Sequence, residues 1–514
     1  MTDSALAPWV IAPVILPAMA AALILLVMRH RLTLSRVASL GVCAALLVMG
    51  VVLTGHAATG AVESYALGDW SAPFGIVLVL DRLSAMMLLL TAVVAMGVMI
   101  YAIATGLDRK GWHFHPLFQF QLLGLNGAFL TGDLFNLFVF FEVLLIASYG
   151  LMLHGQGAAR LKAGVQYVIV NLAGSTLFLV AVGMLYGVTG TLNMADMALR
   201  VAAAPEGDQA LIKAASLLLI AVFALKAALV PLHFWLPRTY ASTSGAVAAL
   251  FAIMTKVGAY SIIRVTTLIF GDDAQASAWA PADWMLPAAL ITIALGFFGV
   301  LAAKGLRDLA AFAVVGSMGT LLSAVAVFQP DAMSAALYYT VHSTLAAAAL
   351  FLIVDLIAVR RGEYGDAVNV GPRFQDVEKL SGLFFLAAIA MVGLPPLSGF
   401  IGKLLILDGV RDAPGGYWIW AIILITTVIG ILGFARAGSQ IFWKSASVDG
   451  DCHAGQVHGG AAAMGAAAGF LILLAAATVL AGPLAAYTTA TAEQLFQPDA
   501  YIGIIEPSPP PRQP

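Results

Sequence analysis

Five ionisable side chains stand in stretches otherwise apolar enough to enter a bilayer. They are Glu142 in LFVFFEVLLIASYGLML (137–153), Lys226 in KAALVPLHFWLP (226–237), Lys256 in AIMTKVGAYSII, His342 in LYYTVHSTLAAAALFLI and Lys403 in GLPPLSGFIGKLLIL (393–407). A charge at the centre of a membrane helix costs about 2.5–3.5 kcal/mol on the translocon scale. Three lysines and a glutamate, all charged and facing lipid, would cost on the order of 10 kcal/mol together. Burial and partners must offset most of that. Lysine, histidine and glutamate can all exchange a proton, whereas arginine effectively cannot. A purely structural ion-pair network has little reason to avoid arginine at mid-depth, so the residue choice favours proton transfer.

Each residue also has a plainer reading. Glu142 could be a structural pair with a lysine, and Lys226 and Lys256 could tie helices together. His342 could be a hydrogen-bonded core histidine, and Lys403 could snorkel to the outer surface. Asp81 and Asp133 read as helix-end residues. His233, after a proline, is a candidate for proton uptake from the cytoplasmic side.

The chain that must position these groups has 514 residues, 61% hydrophobic and 10% charged, with net charge −2. A soluble domain carries roughly 25% charged residues, so a polytopic all-α membrane protein is expected. The charge balance gives no sign of a nucleic-acid partner. Cys43 and Cys452 suggest neither a disulfide framework nor a metal site. No glycine-rich phosphate loop, haem motif or cluster motif is present, so neither a cofactor nor a metal is expected. The N-terminal MTDSALAPWV lacks the positive region of a cleavable signal.

A bilayer core of about 30 Å needs about 20 apolar residues per helix. That window predicts fourteen spans near 9–28, 37–54, 79–104, 115–131, 135–153, 164–186, 212–230, 243–265, 284–303, 308–328, 332–358, 382–407, 416–435 and 461–486. Of the 25 lysines and arginines, 16 fall in odd-numbered connections and five in even-numbered ones or the tail. The positive-inside rule then places the odd connections in the cytoplasm and both termini outside. Measured from the span ends, Glu142 lies roughly 14 Å deep, Lys226 roughly 21 Å and His342 roughly 16 Å.

Two spans contain prolines beside a buried lysine. Pro231 follows Lys226, and Pro395 and Pro396 precede Lys403. Proline removes a helical hydrogen bond and kinks the helix, and broken helices near buried charge mark ion-translocating proteins. The seventh and twelfth spans are therefore expected to be broken. Their odd offset suggests inverted five-helix repeats over spans 4–8 (115–265) and 9–13 (284–435). Three helices (1–114) precede these repeats, and a last helix (461–486) and an outward tail (487–514) follow. The Ala/Gly stretch GGAAAMGAAAGF (459–470) suggests close helix packing.

Four motifs in order resemble a known family: TGDLFNLFVFFEVLLIASYGLML, FALKAALVPLHFWLP, AIMTKVGAYSIIRV and GLPPLSGFIGKLLIL. They are similar to the proton-translocating antiporter-like subunits of respiratory complex I, membrane-bound hydrogenases and Mrp-type cation/proton antiporters. GTLNMADMA (190–198) and the ending DAYIGIIEP are most similar to the D-subunit branch of the Mrp-type (Pha-type) antiporters. The resemblance implies a secondary transporter subunit of a bacterial cytoplasmic membrane, with protons, Na+ or K+ and other subunits as partners. It implies that Glu142 pairs with Lys226, that Lys256 is the central relay lysine, and that His342 and Lys403 continue the path. Many relatives carry a lysine four residues after the histidine, where this chain has Ala346, so Tyr338, Tyr339 or water would assist His342. The rivals are a redox-driven pump subunit, an assembly scaffold and a transporter of an organic solute.

Overall fold

The computed structural model describes residues 7–70, 72–73, 75–448 and 460–503. Cys452, Gly459 and the proline-rich end lie outside the described residues. The chain opens with α1 (Ala12–Leu26), α2 (Leu32–Ala57) and α3 (Arg82–Thr105). Next come α4 (Phe114–Leu130), α5 (Leu134–Leu153), α6 (Ala158–Thr189), α7 (Met194–Ala202), α8 (Glu206–Lys226), α9 (Trp235–Ser242) and α10 (Gly245–Leu268). A third group holds α11 (Ala282–Ala302), α12 (Leu306–Val325), α13 (Pro330–Arg360), α14 (Val377–Val392), α15 (Ser398–Gly409) and α16 (Gly416–Gly438). The described chain closes with α17 (Gly460–Val479), α18 (Ala481–Phe496) and α19 (Asp499–Ile502).

Twelve helices among the described residues are long and apolar enough to cross a membrane. Of the fourteen expected spans, the fourth corresponds to the 17-residue α4, and the twelfth to the shorter pair α14 and α15. Both expected breaks are present. The seventh span divides into α8 and α9, and the twelfth divides at Gly393–Leu397.

Three features depart from an all-helical reading or from the expected packing. A two-stranded antiparallel sheet pairs β1 (Glu63–Ala66) with β2 (Val77–Leu80) in the second connection. The valine and leucine side chains of VLVL are all buried, and the Val77 carbonyl accepts a bond from Gly132 N–H at 2.9 Å. That buried pairing outweighs the loop reading of the surrounding sequence. The segment after the last expected span is helical: α18 packs back, with Tyr487 donating to the Arg82 carbonyl at 2.8 Å. In the Ala/Gly stretch Gly465 and Gly469 do not make the contact, since neither has a neighbour within 4 Å of where a Cβ would stand. Ala463, Ala467 and Phe470 are the buried residues, and Phe470 fills the space over Gly97 of α3.

The core is centred on α10, every residue of which is buried from Gly245 to Leu268. It packs against α13, α8, α3 and α12. This central position explains why a helix with a lysine, an arginine and several hydroxyls can exist in a membrane protein: its polar groups meet protein rather than lipid. Arg264 of α10 forms a bidentate pair with Asp81, at 2.6 and 2.8 Å. Asp81 also caps α3 through Ser84, as its position in the sequence suggests. Removing one partner of such a buried pair costs about 3–5 kcal/mol.

A second fixed cluster ties the connection after α3 to α2 and α4. Asp108 accepts from Arg36 Nε at 2.6 Å and Nη2 at 2.8 Å, and lies 3.3 Å from His115 Nε2. Burial alone would raise the Asp108 carboxyl, but hydrogen bonds from His115 and Arg36 outweigh it and hold it at about 2. A depressed carboxyl contributes stability above its unfolded pKa and loses it as pH falls through the folded one. In Asp108→Asn the melting temperature should therefore lie below wild type by the most above about pH 4. The gap should close as the pH approaches 2, measured by thermal melts of the detergent-purified protein. A gap independent of pH would show that Asp108 contributes through packing instead.

Candidate functional site

Each lysine of interest is placed by a local feature of its helix. Lys226 is the last residue of α8. Beyond it Ala228 takes a left-handed φ of 56°, and the N–H groups of Ala227, Ala228 and Leu229 turn back onto Phe223, Leu225 and Ala224 carbonyls. Pro231 has no N–H to continue the ladder. Trp235 Nε1 donates to the Leu225 carbonyl at 3.0 Å, and Val230 N–H donates to Thr292 Oγ1 at 2.9 Å. The interruption is thus closed by protein groups, and Gly258 of α10 lies against it. A Cβ there would fall 2.6 Å from Ala227 N, so only glycine permits the approach.

The amine of Lys226 donates to Asn171 Oδ1 at 2.9 Å, and the side chain is 6% exposed. Ser175, one turn further along α6, donates to Glu142 Oε1. No ion pair joins Glu142 to Lys226 in this structure. They are held by residues at i and i+4 of α6, which share a face, and Phe141 presents its ring 5.9 Å from the amine. In place of a direct contact, Asn171 and Ser175 of α6 each hold one of the two groups that the resemblance pairs. Glu142 also borders an open groove of about 350 Å³ between α5 and α6, with Phe138, Leu172 and Thr176.

Lys256 is 1% exposed in the middle of α10. Its amine lies 3.1 Å from Met318 Sδ of α12. A thioether is a weak acceptor, and no carboxylate lies within ion-pair distance of Lys256 among the described residues.

The second break is organised differently. Gly393 has φ 78°, and the N–H groups of Gly393 and Leu394 both reach the Ile389 carbonyl. Two other carbonyls of the α14 end are taken by the candidate residues themselves. His342 Nε2 is 3.1 Å from the Ala390 carbonyl, and Lys403 Nζ donates to the Val392 carbonyl at 2.7 Å. Lys403 also donates to Thr427 Oγ1 at 2.8 Å. A cation at a helix C-terminus is favoured by the helix dipole as well. His342 Nδ1 lies 2.9 Å from Ser398 Oγ. With Nε2 facing a carbonyl, the proton belongs on Nε2, and Nδ1 accepts from the Ser398 hydroxyl.

The Tyr339 ring centroid is 5.6 Å from that of His342, whereas Tyr338 turns to the Ala477 carbonyl of α17 at 3.3 Å. Only Tyr339 of the two is therefore beside the imidazole. Lys403 does not snorkel: it is 5% exposed and anchored inside. His233 lies in the short turn after Pro231, with Nδ1 buried. Asp133 is the N-cap of α5, accepting from Asn136 N–H at 2.7 Å. Among the described residues no group of three or more His, Cys, Asp or Glu could hold a metal ion.

Sequence reasoning missed Asn171, Ser175, Ser398, Met318 and Thr427. All are neutral, and each meets a charged group or the imidazole through its side chain. The i, i+4 spacing of Asn171 and Ser175 on an otherwise apolar helix was the available signal.

This arrangement of two broken helices with three buried amines and an imidazole lies within residues 131–430, which match the family described as NADH:quinone oxidoreductase/Mrp antiporter, TM. The chain belongs to this family. Among curated relatives, this family member is 40% identical to a probable K(+)/H(+) antiporter D subunit of Rhizobium meliloti (strain 1021), over 95% of both chains. It is 36% identical to the Na(+)/H(+) antiporter D subunit of Bacillus subtilis (strain 168), over 85% of this chain and 87% of the relative. It also superposes with a TM-score of 0.87 on a chain from the structure of the Mrp complex of Dietzia sp. DQ12-45-1b. That match is at 28% identity and covers 97% of this chain and 99% of the other.

Gly399 makes the second break possible, since a Cβ there would sit 2.4 Å from the Ala390 carbonyl oxygen and 2.7 Å from His342 Nε2. Gly399→Ala should displace the imidazole and reduce ion transport by about tenfold or more, as a misplacement near 1 Å commonly does. Transport assays in inverted vesicles at matched protein levels would measure it. Unchanged transport would mean that the His342–Ala390 contact is dispensable.

Proposed function

We propose that this chain is the D subunit of a multisubunit Na+(K+)/H+ antiporter and conducts protons along Glu142, Lys226, Lys256, His342 and Lys403. The identity to an antiporter D subunit over 95% of both chains carries the first part of that reading. The second part is supported by the chemistry of the row: each group can exchange a proton, and none at mid-depth is an arginine. The membrane is the bacterial cytoplasmic membrane, with the arginine- and lysine-rich connections inside and both termini outside.

In this mechanism α6 is the switch element. A change of rotamer or a small shift of α6 releases Glu142 from Ser175 and Lys226 from Asn171, and lets carboxylate and amine meet. When they part, Lys226 loses the charge that favours its protonated form and passes a proton toward Lys256. The weak Met318 contact leaves Lys256 free to receive and release it. At His342 the Nδ1 lone pair accepts a proton once the Ser398 hydroxyl turns away. Lys403 is the last group, and His233 lies toward the cytoplasmic uptake side.

Residues 115–265 and 284–435 act in this reading as inverted repeats. In each, the fourth span is the broken one, and a buried lysine stands beside the break. The groove at Glu142 suits contact with a neighbouring subunit, which would shield the carboxylate from lipid.

A redox-driven pump subunit is distinguished by its partners. Mild-detergent purification of the tagged chain should bring down small hydrophobic subunits, identified by mass spectrometry. Iron–sulfur or flavin proteins in their place would overturn the antiporter assignment. Within the antiporter, Glu142→Gln should assemble normally yet lose transport by about tenfold, the equivalent of about 1.4 kcal/mol. Lys256→Arg tests titration directly, because it keeps the charge and cannot release the proton. It should assemble and fail to transport. Active Lys256→Arg would favour a scaffold role for the buried charge.

A further inference from the structure

Away from the proton row, four basic residues from four separate elements line one cavity of about 300 Å³, on the order of ten water volumes. Lys110 follows α3, Arg160 stands in the first turn of α6, Arg307 in the first turn of α12, and Arg360 closes α13. The lining holds a single carboxylate, Asp355. Both of its oxygens are engaged, Oδ1 by Arg307 Nη2 at 3.2 Å and Oδ2 by the Tyr101 hydroxyl at 3.0 Å. From outside the lining, Asp376 Oδ2 reaches Arg360 Nη2 only at 3.5 Å. Asp366, which accepts from the Arg307 N–H at 3.3 Å, and Asp308 stand at the first turn of α12 but outside the lining, so it is the lining itself, with four cations and one carboxylate, that carries the excess of positive charge.

The hydrogen-bonding pattern is equally one-sided. Three buried polar atoms in this lining lack a partner among the described residues: Arg307 Nε, Arg360 Nε and Ser244 Oγ. All three can donate. Arg360 is 1% exposed. Buried donors left unpaired are rare and costly. Ser244 is also the N-cap of the 24-residue α10, and its side chain does not cap the helix. The N–H groups of the first turn have no intrahelical acceptor, which adds a favourable potential for negative charge. Gly245 permits this crowding, since a Cβ there would meet Asp355 Cβ at 2.4 Å.

We infer that the cavity between the N-termini of α10 and α12 and the C-terminus of α13 binds the phosphate group of an anionic ligand. A tetrahedral phosphate offers acceptors to several donors at once, and guanidinium groups match it better than a monatomic anion. Two sources share this chemistry: the headgroup of an anionic lipid, which basic pockets at membrane interfaces recognise, and free phosphate. The site serves the complex by holding the N-terminus of α10 to the C-terminus of α13.

The test uses the purified, delipidated complex and follows its thermal unfolding midpoint. Phosphatidylglycerol in mixed micelles and inorganic phosphate are titrated separately, with phosphatidylcholine as the neutral comparison. Wild type should be stabilised saturably by phosphatidylglycerol, by inorganic phosphate or by both, and not by phosphatidylcholine. Stabilisation by the lipid alone assigns a headgroup, and stabilisation by inorganic phosphate assigns a free anion site. Arg307→Gln should raise the half-saturating concentration about tenfold, the loss of one charge-assisted bond. Ser244→Ala should raise it about threefold, the loss of a neutral one. Ser244→Ala removes only a hydroxyl, so it carries the comparison if Arg307→Gln fails to assemble. No saturable stabilisation of wild type, or equal stabilisation of wild type and Ser244→Ala, overturns the site.

Discussion

A helix interrupted inside a bilayer leaves carbonyl groups that water cannot reach, and each must find a donor within the protein. Most of the functional architecture follows from how this chain answers that demand at its two breaks. At the end of α8 the free carbonyls go to backbone N–H groups and to Trp235, which leaves the Lys226 amine available to Asn171. At the end of α14 backbone N–H groups take the Ile389 carbonyl, while His342 shares that of Ala390 with Gly393 N–H and Lys403 takes that of Val392. The same residues that could carry protons therefore also close the broken backbone. Any change in the protonation of His342 or Lys403 would rearrange hydrogen bonds of the break.

Charge is sorted by depth in a way that fits this division of labour. Arginine–aspartate contacts such as Arg264–Asp81, Arg36–Asp108 and Arg307–Asp355 lie near helix ends. Their guanidinium groups stay charged, and bidentate geometry makes two of them rigid. Toward the centre the partners of the amines are an amide, a thioether, a hydroxyl and a carbonyl. A neutral partner stabilises a charged amine less than a carboxylate does, so the protonation state stays responsive to its surroundings. The rim holds its cations with carboxylates, and the centre holds its amines with neutral partners.

Close packing makes both arrangements possible. Gly258 brings α10 onto the first break and Gly399 brings α15 under His342, each at distances that a methyl group would forbid. Such contacts need backbone from elements far apart in the chain, which is why no local pattern announces them.

The helical membrane fold, the two proline breaks and the row of titratable residues were legible from the chain alone. Hydropathy over about 20 residues and the missing N–H of proline are properties of local sequence. Arginine and lysine asymmetry likewise needs no structure to be read. The partners were another matter. That Lys226 meets Asn171 rather than Glu142, that Lys256 meets Met318, and that His342 reaches Ala390 depend on which faces of α6, α12 and α14 turn inward. Those rotations are set by packing across the whole bundle. The hairpin at Val77–Leu80 and the return of α18 have the same origin: a weak local preference decided by buried contact with distant helices. A buried charge can be located from its own segment, but its partner belongs to another part of the chain and becomes its neighbour only when the helices pack.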